Sequence, residues 1–355
     1  MPFNIPTINI APYLADPNSA AAAQVVADVR EACVTTGFFS LVGHGVPQEL
    51  QQSMLRGCKK LFALPLETKR VLRPPGPLLN RGYELIGTQV LQPGARPDLK
   101  EGYFIGQHVP YTDERAKRHP LLVGENIFPA ELPDADLRLP AEAYYLAVRR
   151  LGCTVLTILA KGLPYGEDVF AEFMDNDPLC NLRLLHYPPQ TNVTEGDNNN
   201  GNDNGNPPQL GAGAHTDFGA ITLLYQDTAG GLEVLDQATG TWVGVPPDPA
   251  AYVVNVGDML SMWTQNTYKS NMHRVINRSQ TDRYSLPFFF DGNLDARLAP
   301  LDGSSAAVPA DSSGHNAVLT AEQHILARVG ASFGLAAYAG PGPAVVAAAA
   351  TPAAA

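Results

Sequence analysis

The chain has only 4 cysteines in 355 residues, and no Cys-x-x-Cys pair. Cys33, Cys58, Cys153 and Cys180 are widely and irregularly spaced, three of them in stretches that read as helix. That pattern argues against a disulfide frame and for reduced thiols in a core. No Lys/Arg run is longer than Arg149-Arg150, and the formal net charge is −11. A nucleic-acid partner is therefore not expected, because such proteins usually carry a basic face. No uninterrupted apolar run reaches roughly 18 residues, so no transmembrane helix is expected. The N-terminus, Met1-Pro-Phe-Asn-Ile-Pro, lacks the basic and apolar stretches of a signal peptide. The matches to a glycosylation pattern at Asn192 and Asn277 are then taken as chance, and the chain is expected in the cytoplasm. Charged residues make up 17% of the chain and apolar ones 45%, a globular balance.

Three regions follow one another, without a solenoid repeat. Residues 1–180 read as mostly helical. Ser19 caps a helix with apolar positions at Ala22, Val25, Val26, Val29 and Cys33, closed by Gly37. Phe38–Val42 reads as a strand. A second helix follows Pro47 and runs through Phe62, and a third runs from Pro140 to about Lys161. From 181 to 293 short β-rich runs alternate with turn residues. They are Leu182–Tyr187, Ile221–Tyr225, Leu232–Leu235, Trp242–Val245, Tyr252–Val256, Leu260–Trp263, Met272–Asn277 and Tyr284–Phe290. Strands at this spacing predict a sandwich or jelly roll. Residues 192–211, rich in Asn, Gly and Asp, read as a flexible insertion. Thr320 with Gln323 predicts a capping box that opens a C-terminal helix. The Pro/Ala tail, 341–355, is expected to be disordered. The expected division is 1–135 as an N-terminal region and 136–340 as helices plus the β-rich core.

The sharpest motif is Gly213-Ala-His215-Thr-Asp217-Phe-Gly. On a strand, residues two apart share a face, so His215 and Asp217 can offer a nitrogen and an oxygen to one ion. His273, on a later predicted strand, can return beside them. Two imidazoles and a carboxylate on one side of an ion leave positions open for a substrate and O₂, which suits iron(II). The same three ligands could hold zinc for hydrolysis. Arg283-Tyr284-Ser285 separates the two readings. Arg283 and Ser285 share a strand face, and a guanidinium beside a hydroxyl is a carboxylate receptor. A keto acid that chelates iron through one end needs such a receptor for its far end, and a zinc hydrolase does not.

With these motifs in hand, the sequence resembles, over nearly its whole length, the iron(II)/2-oxoglutarate dioxygenases of the isopenicillin N synthase-like group. The N-terminal half is similar to that family in Ile5-Pro-Thr-Ile-Asn-Ile, Gly37–Val46, Arg81-Gly-Tyr83 and Asp98-Leu-Lys-Glu101-Gly-Tyr, all read as scaffold. His44 is read as a turn and packing residue. The resemblance implies a mixed α and β fold: a double-stranded β-helix (jelly roll) core, a helical N-terminal region and a C-terminal helix. It implies iron(II) at His215, Asp217 and His273, and 2-oxoglutarate at Arg283 and Ser285, with O₂ as the other co-substrate. Leu182-Arg-Leu-Leu-His-Tyr187-Pro-Pro is similar to a family strand whose last Tyr hydrogen-bonds 2-oxoglutarate, which implies Tyr187. Leu185 stands where many members have Asn, and His186 is read as structural. The motifs look most similar to microbial members such as thymine 7-hydroxylase.

The expected reaction oxidises a small organic molecule and releases succinate and CO₂, with no acid or base beyond the metal centre. Candidate substrate residues are Arg183, Phe218, Phe289 and Tyr103. Arg183 is favoured because a buried Arg needs a partner, and an Arg among aromatics suits a planar, polar ring. Competing readings are a zinc hydrolase on the same ligands and a catalytically silent small-molecule binder. The chain is expected to be a monomer or a weak homo-oligomer.

Overall fold

The computed structural model describes residues 3–74, 80–175, 177–189, 209–304 and 318–335. Of the 192–211 insertion only residues 209–211 fall among these, and the 341–355 tail lies outside them. The chain opens with β1 (Thr7–Asn9), α1 (Ala11–Ala15), α2 (Ala20–Thr35), β2 (Phe38–Val42), α3 (Gln48–Phe62) and α4 (Leu66–Arg70). Next come β3 (Gly82–Glu84), β4 (Glu101–Gly106), α5 (Glu114–Arg118), α6 (Arg138–Lys161) and α7 (Ala171–Met174). They are followed by β5 (Leu179–Tyr187), β6 (Ala212–His215), β7 (Ile221–Gln226), β8 (Leu232–Asp236), β9 (Thr241–Gly244) and β10 (Tyr252–Val256). The last elements are α8 (Asp258–Trp263), β11 (His273–Val275), β12 (Arg283–Gly292) and α9 (Ala321–Ser332).

The helix signals act where the sequence places them. Ser19 Oγ accepts the Ala22 N–H at 3.1 Å, and α2 buries Ala22, Val25, Val29 and Cys33. The chain then turns at Gly37 with φ +74, where a Cβ would lie 2.0 Å from the Lys269 carbonyl oxygen. Thr320 and Gln323 form the capping box of α9. α6 is long and apolar enough to cross a membrane by length and composition alone. Here its apolar side, with Val148, Leu151, Val155 and Leu159, is buried in the main core. Gly152 lets it close on Phe290, whose ring would stand 2.8 Å from an added Cβ.

One sheet runs β1-β2-β10-β7-β12-β5-β4-β3, antiparallel except for β1 with β2, and a second runs β6-β11-β8-β9. The fold is thus mixed α and β with large antiparallel sheets. Phe38, Leu185 and Val253 from the first sheet pack with Ala212, Leu232, Val234 and Val275 from the second. The two sheets therefore face each other across a small core of their own. The helices cover the other face of the larger sheet, and the main core lies there.

Two readings change. Residues 260–263 are not a strand but part of α8, where Met259, Leu260 and Trp263 are buried at helical spacing; a short apolar run does not distinguish the two periods. The first 180 residues, expected to be mostly helical with one strand at Phe38–Val42, also contribute β1, β3 and β4 to the large sheet. β4 pairs with β5 through Phe104↔Arg183 and Gly102↔Leu185, so the N-terminal half supplies part of the wall behind the candidate site.

Candidate metal and co-substrate site

β6 ends at His215, which pairs with His273 on β11 across the small sheet. Asp217 lies just past the strand end, so it reaches the imidazoles through a turn and not through strand alternation. The ligand atoms of His215, Asp217 and His273 lie within 4.8 Å of one another. Both His Nε2 atoms stand 3.6 Å from Asp217 Oδ1. His215 Nδ1 is 2.7 Å from the Gly213 carbonyl oxygen, and His273 Nδ1 is 3.3 Å from that of Asn271. A ring N–H can donate only from Nδ1 there, which leaves both Nε2 lone pairs aimed at the shared point. Asp217 Oδ2 accepts from Thr222 Oγ1 at 2.5 Å and from Asn255 Nδ2 at 2.7 Å, so Oδ1 is the oxygen left to face the imidazoles. Burial, with His273 alongside, holds His215 below its usual imidazole range. Burial alone would raise Asp217, but the two imidazoles and its two hydrogen bonds outweigh it and hold the carboxylate ionised. A neutral nitrogen pair and a charged oxygen fit a divalent ion with open positions.

On one side of this triad a cavity is lined by Lys100, Tyr187, Leu185, Arg283 and Ser285. Arg283 is fully buried. Its Nη2 donates to Gln226 Oε1 at 2.8 Å and its Nη1 reaches Ser285 Oγ at 3.4 Å. Its Nε has no partner, and its guanidinium stacks over the Tyr187 ring at 4.7 Å. Among the described residues no carboxylate pairs with it, so a buried cation faces the cavity without a counter-anion. That fits the far carboxylate of a dicarboxylic keto acid. Sequence reasoning missed Gln226, whose signal is its register opposite Ser285 at the end of β7, and Lys100, which pairs with Asp98. Leu185 makes this wall apolar where an Asn would have been polar.

A second cavity, which shares His215, Asp217, Arg183 and Phe289 with the first, is lined also by Phe104, Phe218, Asn181 and Asp291 and closed by Ile325, Val329 and Phe333 of and just after α9. Phe218 and Phe289 are therefore brought to the metal triad. Arg183 also lines it, but it already has partners: Nη2 ion-pairs with Glu84 and donates to Gln89 Oε1 at 2.9 Å, and the guanidinium lies 4.7 Å over Phe104. Tyr103 is not there. Pairing with Leu184, it turns to the main core, and its hydroxyl donates to the Ile127 carbonyl. Alternation on β4 gives the cavity Phe104 instead. Burial pushes the Asp291 carboxyl up to about 7.

The scaffold motifs acquire partners. Asp98 Oδ1 accepts from Gly213 N at 2.9 Å and anchors the start of the metal strand. Glu101 gathers Lys69, Tyr83 and His186 in one buried network. His186 Nε2 also contacts Asp282 Oδ1 at 2.8 Å, which keeps it structural. His44 accepts from Val46 N and stands edge-on to Tyr252, a turn and packing role.

Comparisons with known proteins agree with this geometry. Residues 5–131 match a family model described as the N-terminal part of a non-haem dioxygenase in morphine synthesis, and residues 178–292 match that of the 2OG-Fe(II) oxygenase superfamily. The chain is 48% identical over 337 residues to the 2-oxoglutarate-dependent dioxygenase citB of Monascus ruber, covering 94% of this chain and 97% of that protein. It is 41% identical to the clavatol oxidase claD of Penicillium crustosum, with 94% and 98% covered. It superposes on Neurospora crassa T7H in complex with α-ketoglutarate and thymine with a TM-score of 0.75, at 27% identity and with 92% and 96% covered. The chain belongs to the iron(II)/2-oxoglutarate oxygenases of the isopenicillin N synthase-like group. It is an oxidoreductase that uses iron(II) and 2-oxoglutarate.

Proposed function

We propose that this dioxygenase oxidises a small, flat ring compound bound in the cavity closed by α9, with the metal triad as the common wall between substrate and 2-oxoglutarate. The observation that carries the reading is a pair of cavities that share His215, Asp217 and Phe289. One holds a buried, uncompensated Arg283, and the other adds Phe104 and Phe218. In this reading His215, Asp217 and His273 hold iron(II). Bound there with 2-oxoglutarate and O₂, the metal supplies the oxidising chemistry that yields succinate, CO₂ and oxidised substrate. Arg283 and Ser285 bind the far carboxylate, and the Tyr187 ring braces the guanidinium. Thr222 and Asn255 orient Asp217. The three phenylalanines hold the substrate ring and keep water from it.

T7H is seen with thymine and with 5-formyluracil, and another relative is named a clavatol oxidase. These names support a planar ring as substrate. The two facing sheets support a double-stranded β-helix core, with residues 1–135 as the N-terminal region that completes its wall and 136–340 as the oxygenase core. A cytoplasmic monomer or weak homo-oligomer completes the proposal. A panel of hydroxylated aromatics and heterocycles, screened for substrate-stimulated succinate formation, tests it. Stimulation only by acyclic compounds would sink the ring assignment.

A further inference from the structure

Arg183, the cation nearest the substrate cavity, spends its charge on Glu84. Two polar groups in that cavity keep open capacity among the described residues: the Arg183 Nε and a carboxyl. Asp291 lies two residues after Phe289, at the register shift of β12 between Phe290 and Gly292; it lines the same cavity and is buried. It forms no ion pair among the described residues. Its Oδ2 accepts from Asn181 Nδ2 at 3.0 Å. Asn181 Oδ1 is in turn 3.4 Å from Arg81 Nη1, and Arg81 also donates to the Asn80 and Gln107 carbonyls. A guanidinium only donates, so the Asn181 oxygen must face Arg81 and its NH₂ must face Asp291. The relay therefore fixes which carboxyl oxygen is already used. Asp291 Oδ1 has no hydrogen-bond partner among the described residues, and it lies against Gly219, where an added Cβ would come within 2.3 Å of it. Only a glycine leaves that oxygen its place on the cavity wall beside the metal loop.

Resting on the dioxygenase reading above, we infer that Asp291 is a substrate-binding residue whose Oδ1 pairs with a ring group that can both give and take a hydrogen bond. Two sources share this chemistry: a ring hydroxyl, as in a phenol, and a ring amide edge, as in an imide. Asp291 lines the cavity, and a ring group of this kind can pair with its Oδ1 whether the carboxyl is protonated or ionised. An apolar ring offers nothing to it. Asp291 therefore selects among flat rings that Phe104, Phe218 and Phe289 alone would accept equally.

The test is calorimetric titration of iron(II)-loaded protein under argon, with and without 2-oxoglutarate. The phenol arm uses 4-hydroxybenzaldehyde against benzaldehyde, and the imide arm uses uracil against its N,N′-dimethyl derivative. Wild-type protein is expected to prefer one polar probe over its blocked or deleted partner. Asp291→Leu should bind that polar probe at least about tenfold more weakly and lose the preference. The near-isosteric Asp291→Asn, which keeps a donor and an acceptor, should retain part of it, and this variant serves if the leucine protein does not fold. The arm that responds identifies the source. An equal loss for both members of a pair, no loss in either variant, or no binding of either polar probe to the wild type would overturn the assignment. Failure of 2-oxoglutarate itself to bind counts instead against the Arg283 reading, and the titrations without it still decide Asp291.

Discussion

At the scale of single residues, the site is a set of buried groups held by a few polar neighbours. Arg283 has two neutral partners, Gln226 and Ser285, and in our reading a dicarboxylate completes it. Arg283→Ala is expected to raise the 2-oxoglutarate concentration needed for half-maximal turnover by roughly 30-fold or more, the usual range for removing one partner of a buried charge pair. Steady-state kinetics against 2-oxoglutarate read this, and an unchanged requirement speaks against the role. Thr222→Val removes one of two hydrogen bonds to Asp217 and is expected to weaken iron(II) binding by about 10- to 100-fold, read as metal content after dialysis. The clustered triad and the proposed carboxylate receptor could be picked out in the sequence because their chemistry needs few residue types at short spacing. The substrate wall was less legible. Tyr103 and Phe104 are neighbours, and only the register Phe104↔Arg183 decides which one meets the cavity. Asp291 was illegible, because its meaning comes from Asn181, Arg81 and Gly219, far away in the chain.

At the scale of elements, the β5–β12 pair carries Tyr187, Arg283 and Ser285, the proposed co-substrate residues, and a buried polar network pins its outer face. Lys69 and His186 both bond Glu101, and His186 stacks on Tyr284 at 4.9 Å. Lys69→Met leaves a buried carboxylate short of its cation and is expected to cost roughly 3–5 kcal/mol in chemical denaturation. Burial works to lower the His186 pKa, but its hydrogen bonds to Glu101 and Asp282 outweigh it, so it lies above the usual imidazole value. Its contribution to stability is thus fully present below about pH 6.5 and is lost as pH rises through the raised folded value. Glu101, held below its usual range despite burial, contributes above the ordinary glutamate pKa and loses that contribution in acid. Denaturation midpoints of wild type and His186→Gln, compared from pH 6 to 9, should converge as pH rises; a constant gap would contradict the linkage. Helices α2, α3, α6 and α9 were readable from caps and periodicity. α8 was not, since Asp258–Trp263 is too short for its period to show, and β4 was hidden in a stretch without alternation.

At the scale of the whole molecule, two facing sheets hold the triad and α9 closes the substrate side. Arg328 fastens that closure: its guanidinium lies 4.6 Å over Phe218, its Nη1 is 3.2 Å from Asp258 Oδ2 and its Nη2 donates to Thr216 Oγ1 at 3.1 Å. Arg328→Ala is expected to raise the KM for the oxidised substrate more than the KM for 2-oxoglutarate, and to increase succinate formed without substrate oxidation. Equal changes in both constants would mean a general loss of fold. The strand-rich core could be anticipated from turn spacing and β2 from its apolar run, whereas β1 and β3, of three residues each, and β4 were too short or irregular to show. His215 and Asp217 line both cavities, and we propose that one cavity takes 2-oxoglutarate and the other the substrate. The most direct test admits oxygen to iron(II)-reconstituted protein holding 2-oxoglutarate and measures succinate, with and without ring compounds. Slow succinate formation that one such compound accelerates, and that Arg283→Ala abolishes at the same 2-oxoglutarate concentration, is the predicted result. Succinate formation unaffected by Arg283→Ala, or none from iron-loaded wild type under any condition, would contradict it.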